Sequence, residues 1–162
     1  MLNPKITRPD LPKGYVDKPI SILTWQEVDA RLVEALHYWI CSVRPNQHPH
    51  VVPRWAVWVN GRLYYDGSPE TRHAKNIFKN PNVSVNLESG AEAVIVYGTA
   101  RAVPQPEPAL ADKLSKEYRR KYEILGYAPD PTQWDQGGLF EIVPTTALAW
   151  TKFFENPTRF SF

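Results

Sequence analysis

Apolar and polar residues alternate cleanly over Val83–Glu88 (VSVNLE), with Val83, Val85 and Leu87 on one side and Ser84, Asn86 and Glu88 on the other. That period of two is the signature of a half-buried strand. Runs dense in β-formers predict further strands at Tyr38–Val43, His50–Val59, Arg62–Asp66, Ala93–Val103, Leu139–Val143 and Thr146–Lys152, with Pro144 breaking the last two apart. Asn60-Gly61 between the second and third strands is a hairpin signal, because a type I′ turn needs positive φ at both centres. Gly98 inside a long strand predicts a bulge or bend.

Three stretches carry helical spacing instead. Thr24-Trp25-Gln26-Glu27 reads as a capping box, followed by Val28, Leu32, Ala35 and Leu36, which predicts a helix from Trp25 to about Leu36. A second helix is expected over Glu70–Lys79, stopped by Asn80-Pro81. A third is expected over Ala109–Leu125, with Leu110, Leu114 and Tyr118 as its apolar stripe and Gly126 as its stop. The order is helix, three strands, helix, two strands, helix, two strands. It predicts an α+β, mainly β fold: an antiparallel closed or split β-barrel with flanking helices.

The 162 residues suffice for one domain with a real core. Sixteen prolines fall between the periodic segments, so they punctuate loops. Residues 1–20, with Pro4, Pro9, Pro12 and Pro19, read as an extended arm that wraps the body or a partner subunit or is partly disordered; residues 21–162 read as the single domain. A net charge of +2 gives no reason to expect a nucleic-acid or membrane partner. The basic run Arg119-Arg120-Lys121, flanked by Glu117 and Glu123, reads as a solvated helix face. The lone Cys41 allows no intrachain disulfide, which agrees with a cytoplasmic location. It reads as a buried apolar residue of the first strand. His48 and His50 have no carboxylate or cysteine beside them in sequence, so no metal site is expected.

The chemistry concentrates in Tyr64–Pro81 (YYDGSPETRHAKNIFKNP). A strand runs into a Gly67-Ser68-Pro69 turn, and Thr71, Arg72, His73, Lys75 and Asn76 crowd the start of the helix that follows. Free N–H groups, the positive helix end and cationic side chains suit an anion such as a cofactor phosphate. Asn76 is expected to pack under the helix rather than to touch a ligand. Trp55 and Trp58, an odd number of residues apart on one strand, must face opposite ways.

Three stretches resemble the pyridoxamine 5′-phosphate oxidase-like superfamily of split-barrel flavoproteins: HPHVVPRWAVWVNGRLYY (48–65), SPETRHAKNIFKNPNVSVNLESG (68–90) and GLFEIVPTTALAW…TRF (138–160). The resemblance implies a homodimer with two cofactors in clefts at the dimer interface. It implies that Thr71 and Arg72 hold an FMN phosphate, with His73 standing where the family has lysine and Lys75 two residues further on. Gly67 and Ser68 match the turn that touches the phosphate. Arg54, Trp55, Ala56 and Val57 match the strand that walls the flavin ring, with Trp55 the favoured tryptophan. Trp150 and Arg159 match C-terminal positions near the cleft. Val52 and Val57 stand where the pyridoxamine phosphate enzymes place cationic residues, so the implied activity is not that of the vitamin enzyme. The resemblance implies an FMN-binding oxidoreductase acting on a small organic substrate. The alternatives are a deazaflavin-dependent reductase of the same fold and a flavin- or haem-binding carrier without turnover. No residue is assigned as acid or base.

Overall fold

The computed structural model describes residues 2–16 and 21–162. Pro19, expected in the arm, lies outside them. The elements in chain order are β1 (Lys5–Thr7), α1 (Trp25–Glu34), β2 (Tyr38–Val43), β3 (Pro49–Arg54), β4 (Val57–Val59), β5 (Arg62–Asp66), α2 (Arg72–Lys79), β6 (Asn82–Asn86), β7 (Val94–Val103), α3 (Pro108–Tyr122), β8 (Leu139–Ala149) and β9 (Thr158–Ser161). The architecture is the expected α+β, mainly antiparallel split barrel. Its main path runs β1-β9-β8-β7-β6-β2-β3, and the β4–β5 ribbon joins it through β8. Among the described residues no helix is long and apolar enough to cross a membrane.

Local chemistry sets the element ends. The α1 capping box forms as read: the Glu27 N–H donates to the Thr24 hydroxyl at 3.3 Å, and the Thr24 N–H donates to the Glu27 carboxylate at 2.7 Å. The helix stops at Glu34, short of Leu36, because Ala35 leaves the helical region with ψ 135°. Asn60 and Gly61 turn the β4–β5 hairpin with φ of 54° and 75°.

Two strand predictions need correction. The expected strand over His50–Val59 is broken at Trp55-Ala56, because it changes partner there: β3 pairs with β2, and β4 pairs with β5. Ala56 drops out of both ladders, and α3 satisfies its backbone. The Ala56 N–H donates to the Tyr122 hydroxyl at 3.0 Å, and its carbonyl accepts from the Lys121 ammonium at 3.2 Å. In contrast, Pro144 does not break β8. β8 pairs with β5 over Leu139–Ile142 and with β9 over Thr146–Ala149, so Pro144 sits where the outer edge switches partner and no N–H is needed. On its inner edge it faces Gly98 of β7, at the register shift between Tyr97 and Gly98. A Cβ at Gly98 would run into the Val143 carbonyl oxygen, which is why that bulge needs glycine.

Two further strands were read as arm and tail. β1 pairs with β9, and β9 with β8, extending the sheet within one chain. The main core lies between the sheet, α1 and α2 and includes Trp25, Trp58, Ile40, Val85, Val96 and Phe160. A second core, with Val57, Tyr64, Leu114, Tyr118 and Trp134, lies under α3. Lys121 belongs to the buried side of α3 rather than to a solvated face: it reaches the Tyr38 hydroxyl at 2.8 Å and lies over the Tyr38 ring. Burial, then the neighbouring Arg120, pulls its pKa down to about 8. Cys41 is half-exposed, not buried, because its side chain points to the outer sheet face.

Candidate functional site

β3 alternates, and the residues His50, Val52 and Arg54 turn inward toward α2 while Pro49, Val51 and Pro53 are exposed. α2 lies across that inner face. Its Asn76 is buried and donates to the Ser42 hydroxyl at 3.1 Å. One turn earlier, His73 is 2 % exposed, and Arg54 Nη2 stands 3.0 and 2.9 Å from its two ring nitrogens. Burial, then the charges of Arg54 and His50, drives the His73 pKa down to about 4, so the ring is neutral near pH 7. His50 is lowered by burial and by Arg44 and Arg72. Four basic side chains from two elements, His50, Arg54, Arg72 and His73, therefore share one field.

Arg54 is the pivot of this group. Its guanidinium lies 5.9 Å from the centroid of the Tyr65 ring, and its Nε is buried with no hydrogen-bond partner among the described residues. It also lies against the turn that leads to α2: a Cβ added at Gly67 would meet Arg54 Nη2 at 3.1 Å. At that turn the Thr71 hydroxyl donates to the Ser68 carbonyl at 2.8 Å, and the Glu70 N–H donates to the Ser68 hydroxyl at 3.1 Å. Thr71 is the α2 N-cap, but its side chain accepts no hydrogen bond from the helix. The N–H groups of the first turn thus keep their capacity for an anion.

An open cleft of about 580 Å³ begins at Pro53, Arg54, Trp55, Gly67 and Ser68. Its other wall comes from the connection between α3 and β8, through Tyr127, Gln133, Trp134, Gly137 and Gly138, with Asp66 between the two. Gly137 and Gly138 both adopt positive φ (85° and 84°), and the Gly67 N–H donates to the Gly138 carbonyl at 2.9 Å. That bond ties the far wall to the turn before α2. The Trp55 indole stacks on Tyr122 at 5.1 Å and 12°, whereas Trp58 is buried in the barrel against Trp25. The two tryptophans face opposite ways as read.

The expected site residues divide into three groups. Arg54, Trp55, Gly67 and Ser68 line the cleft, whereas Thr71, Arg72 and His73 do not: they follow the Gly67-Ser68 turn at the start of α2, where His73 meets Arg54. Ala56 and Val57 are fully buried behind it, serving the barrel core and the α3 core respectively. Lys75 points away and pairs with Glu70 at 2.8 Å on the surface. Trp150 and Arg159 are not near the cleft within one chain. Trp150 follows the far end of β8, roughly 35 Å of strand from Gly138, and packs on Phe153. Arg159 is exposed on β9. Asp66, Tyr127, Gln133, Trp134 and the glycine pair were not foreseen. The paired glycines after Trp134 were the available signal that this loop turns sharply beside something. Among the described residues no group of three or more His, Cys, Asp or Glu side chains could hold a metal ion.

The sequence model for pyridoxamine 5′-phosphate oxidase matches residues 24–151. The chain belongs to this family. Among curated proteins none matches the sequence. Solved structures share the family fold at low identity. An F420 reductase is 22% identical with a TM-score of 0.56, over 85% of this chain and 98% of that one. A FAD-binding protein from Mesorhizobium loti is 19% identical with a TM-score of 0.60, over 86% and 95%. The heme storage protein HutZ from Vibrio cholerae is 18% identical with a TM-score of 0.55, over 74% and 88%.

Proposed function

We propose that this member of the pyridoxamine 5′-phosphate oxidase family is an oxidoreductase that holds a phosphate-bearing flavin, FMN, in the 580 Å³ cleft and acts on a small organic substrate. The observation that carries the reading is Arg54: a half-buried guanidinium whose buried Nε has no partner among the described residues, pressed on a glycine turn at a helix start. A buried polar group without a partner is costly, and an anion at this point removes that cost. The residues fit the group. Arg54, Arg72, the Ser68 turn and the first N–H groups of α2 would hold the phosphate; Trp55 and the β3 backbone would flank the ring. The bound cofactor would supply the electron transfer, while the protein orients it and shields it from water.

His73 favours a second reading, a deazaflavin. A neutral imidazole replaces the lysine of the family run, so the phosphate end carries one fixed charge fewer. The F420 reductase among the structural relatives supports the same alternative. The absorbance spectrum of the purified chain, titrated with FMN and with a deazaflavin, decides between them, and binding of neither overturns both.

The proposed assembly is a homodimer built on the outer sheet face. Pro53, Trp39, Asn86, Ile95, Leu148, Arg159 and Thr7 form one continuous cross-strand row on that face. Trp39, Val51 and Tyr97 are exposed there at 38%, 51% and 42%. Large apolar side chains clustered on one face mark an interaction surface. In one chain Arg159 lies about five strand spacings, roughly 24 Å, from Pro53 at the cleft rim. A two-fold axis along the central strands would lay β9 of one copy over the β3 edge of the other, and that is the arrangement in which Arg159 joins a cleft. Light scattering of the chain and of Trp39→Glu tests it: a dimer that becomes a monomer supports this face, and a monomeric parent refutes it.

A further inference from the structure

Lys121 is a buried cation that does not line the cleft. It is 6 % exposed. The neighbouring carboxylates, Glu34 and Glu117, are engaged by Arg120 at 3.1 and 2.9 Å. Among the described residues the Lys121 ammonium therefore meets only the Tyr38 hydroxyl, the Ala56 carbonyl and the faces of the Tyr38 and Tyr122 rings. A buried ammonium without a carboxylate opposes folding, so the charge itself gives the fold no advantage.

Its hydrogen bonds settle the state of Tyr122. The Tyr122 hydroxyl accepts the Ala56 N–H at 3.0 Å. Its single proton has two carbonyls within reach, Leu36 at 2.7 Å and Ala56 at 2.8 Å, and it cannot serve both. Lys121 donates to the Ala56 carbonyl at 3.2 Å, which releases the Tyr122 proton for Leu36. Without the lysine the two carbonyls compete for one donor. Ala56 is the residue at which the strand changes partner, and Trp55 beside it lines the cleft. The end of α3 thus holds both residues: the Tyr122 ring carries the Trp55 indole, while the Tyr122 hydroxyl and Lys121 carry the Ala56 backbone. The opposite wall leans on the same helix, since the Tyr118 ring packs on Tyr127 at 5.6 Å and on Trp134 at 5.9 Å. The spacing of the two aromatic walls is set by one helix.

We propose that Lys121 is a positioning residue of the cleft: by holding the Ala56 carbonyl it keeps Tyr122 in one hydrogen-bonding state and the Trp55 wall in one place. The proposal rests on the cofactor reading in one respect, that Trp55 flanks the cofactor ring.

Lys121→Met keeps the apolar stem and removes the donor. Near-UV circular dichroism of each chain, minus that of the same chain carrying Trp55→Phe, isolates the signal of the stacked indole. Val85→Ala, a packing loss in the main core, is the control for a merely structural change. Parent and control should give the same Trp55 signal. Lys121→Met should lose about half of it or more while still unfolding cooperatively in urea near pH 7. In fluorescence titrations with FMN and with a deazaflavin, Lys121→Met should bind about fivefold or more weakly than the parent, as for the loss of one hydrogen bond. Val85→Ala should stay within about twofold. An unchanged Trp55 signal in Lys121→Met overturns the proposal. So does a lost signal with unchanged cofactor affinity. So does failure of Lys121→Met to fold, which would make the lysine a support of the core. If the parent binds neither cofactor, the proposed function falls, and the Trp55 signal alone then decides whether Lys121 places that wall.

Discussion

Replacing His73 by glutamine isolates one charge in the acid stability of the fold. The imidazole titrates near 4 in the folded chain against 6.5 when unperturbed, because it is buried beside Arg54 and His50. Tyr65 and Phe140 close the rest of its surroundings and offer no compensating carboxylate. The folded pKa is depressed, so the unfolded chain takes up the proton first as pH falls. Stability is therefore complete above pH 6.5 and is lost as pH drops toward 4. At about 1.4 kcal/mol per unit the full separation is bounded by roughly 3 kcal/mol. The ring itself is 2 % exposed, yet it touches Arg54, which lines an open cleft whose water screens the charge, and we expect about 2 kcal/mol. Urea unfolding followed by tryptophan fluorescence near pH 7 and near pH 4.5 gives the difference for the parent and for His73→Gln. His50 contributes with the same sign in both proteins and cancels. The parent should lose about 2 kcal/mol more than the variant between the two pH values. Equal losses would refute the assignment of a neutral, Arg54-pressed His73.

Other consequences follow from neighbouring groups. Arg54→Ala should weaken phosphate-bearing cofactor at least tenfold, as loss of a charge-assisted hydrogen bond of about 2 kcal/mol does. Lys75→Ala, which removes only a surface pair with Glu70, should change it less than twofold in the same fluorescence titration. Lys121 has a folded pKa of about 8 against 10.5 unperturbed, so the folded chain sheds its proton first as pH rises. Stability should then climb by about 2 kcal/mol between pH 8 and 10, and Lys121→Met, measured by urea midpoint, should abolish the climb. Gly98→Ala should cost about 2 kcal/mol or more and lower the melting temperature by several degrees, because the new methyl meets the Val143 carbonyl.

What the sequence disclosed was whatever depends on neighbouring residues. The α1 capping box, the Asn60-Gly61 hairpin and the glycine bulge at 98 are set by local backbone chemistry, and all three are present. Gly67 and Ser68, which line the cleft, were legible for the same reason, since they form one contiguous turn before α2. Features decided by long-range partners were hidden. The break at Trp55-Ala56 depends on hydrogen bonds from α3, 65 residues or more away in sequence. The tolerance of Pro144 depends on where β5 stops and β9 begins along β8. Lys121 looked solvated because its charged neighbours are adjacent in sequence, whereas its helix face is the one turned to the barrel. The wall formed by Tyr127 and Trp134 could not be paired with Asp66 without the tie between Gly67 and Gly138.

The central claim is that the cleft walled by Arg54 on one side and the α3–β8 connection on the other holds a phosphate-bearing flavin or deazaflavin. Titrating the purified chain with FMN and with a deazaflavin, by absorbance and by cofactor fluorescence, tests it most directly. The account predicts saturable binding of one of them at one cofactor per chain, weakened at least tenfold by Arg54→Ala. No binding of either, or binding that Arg54→Ala leaves unchanged, would contradict it.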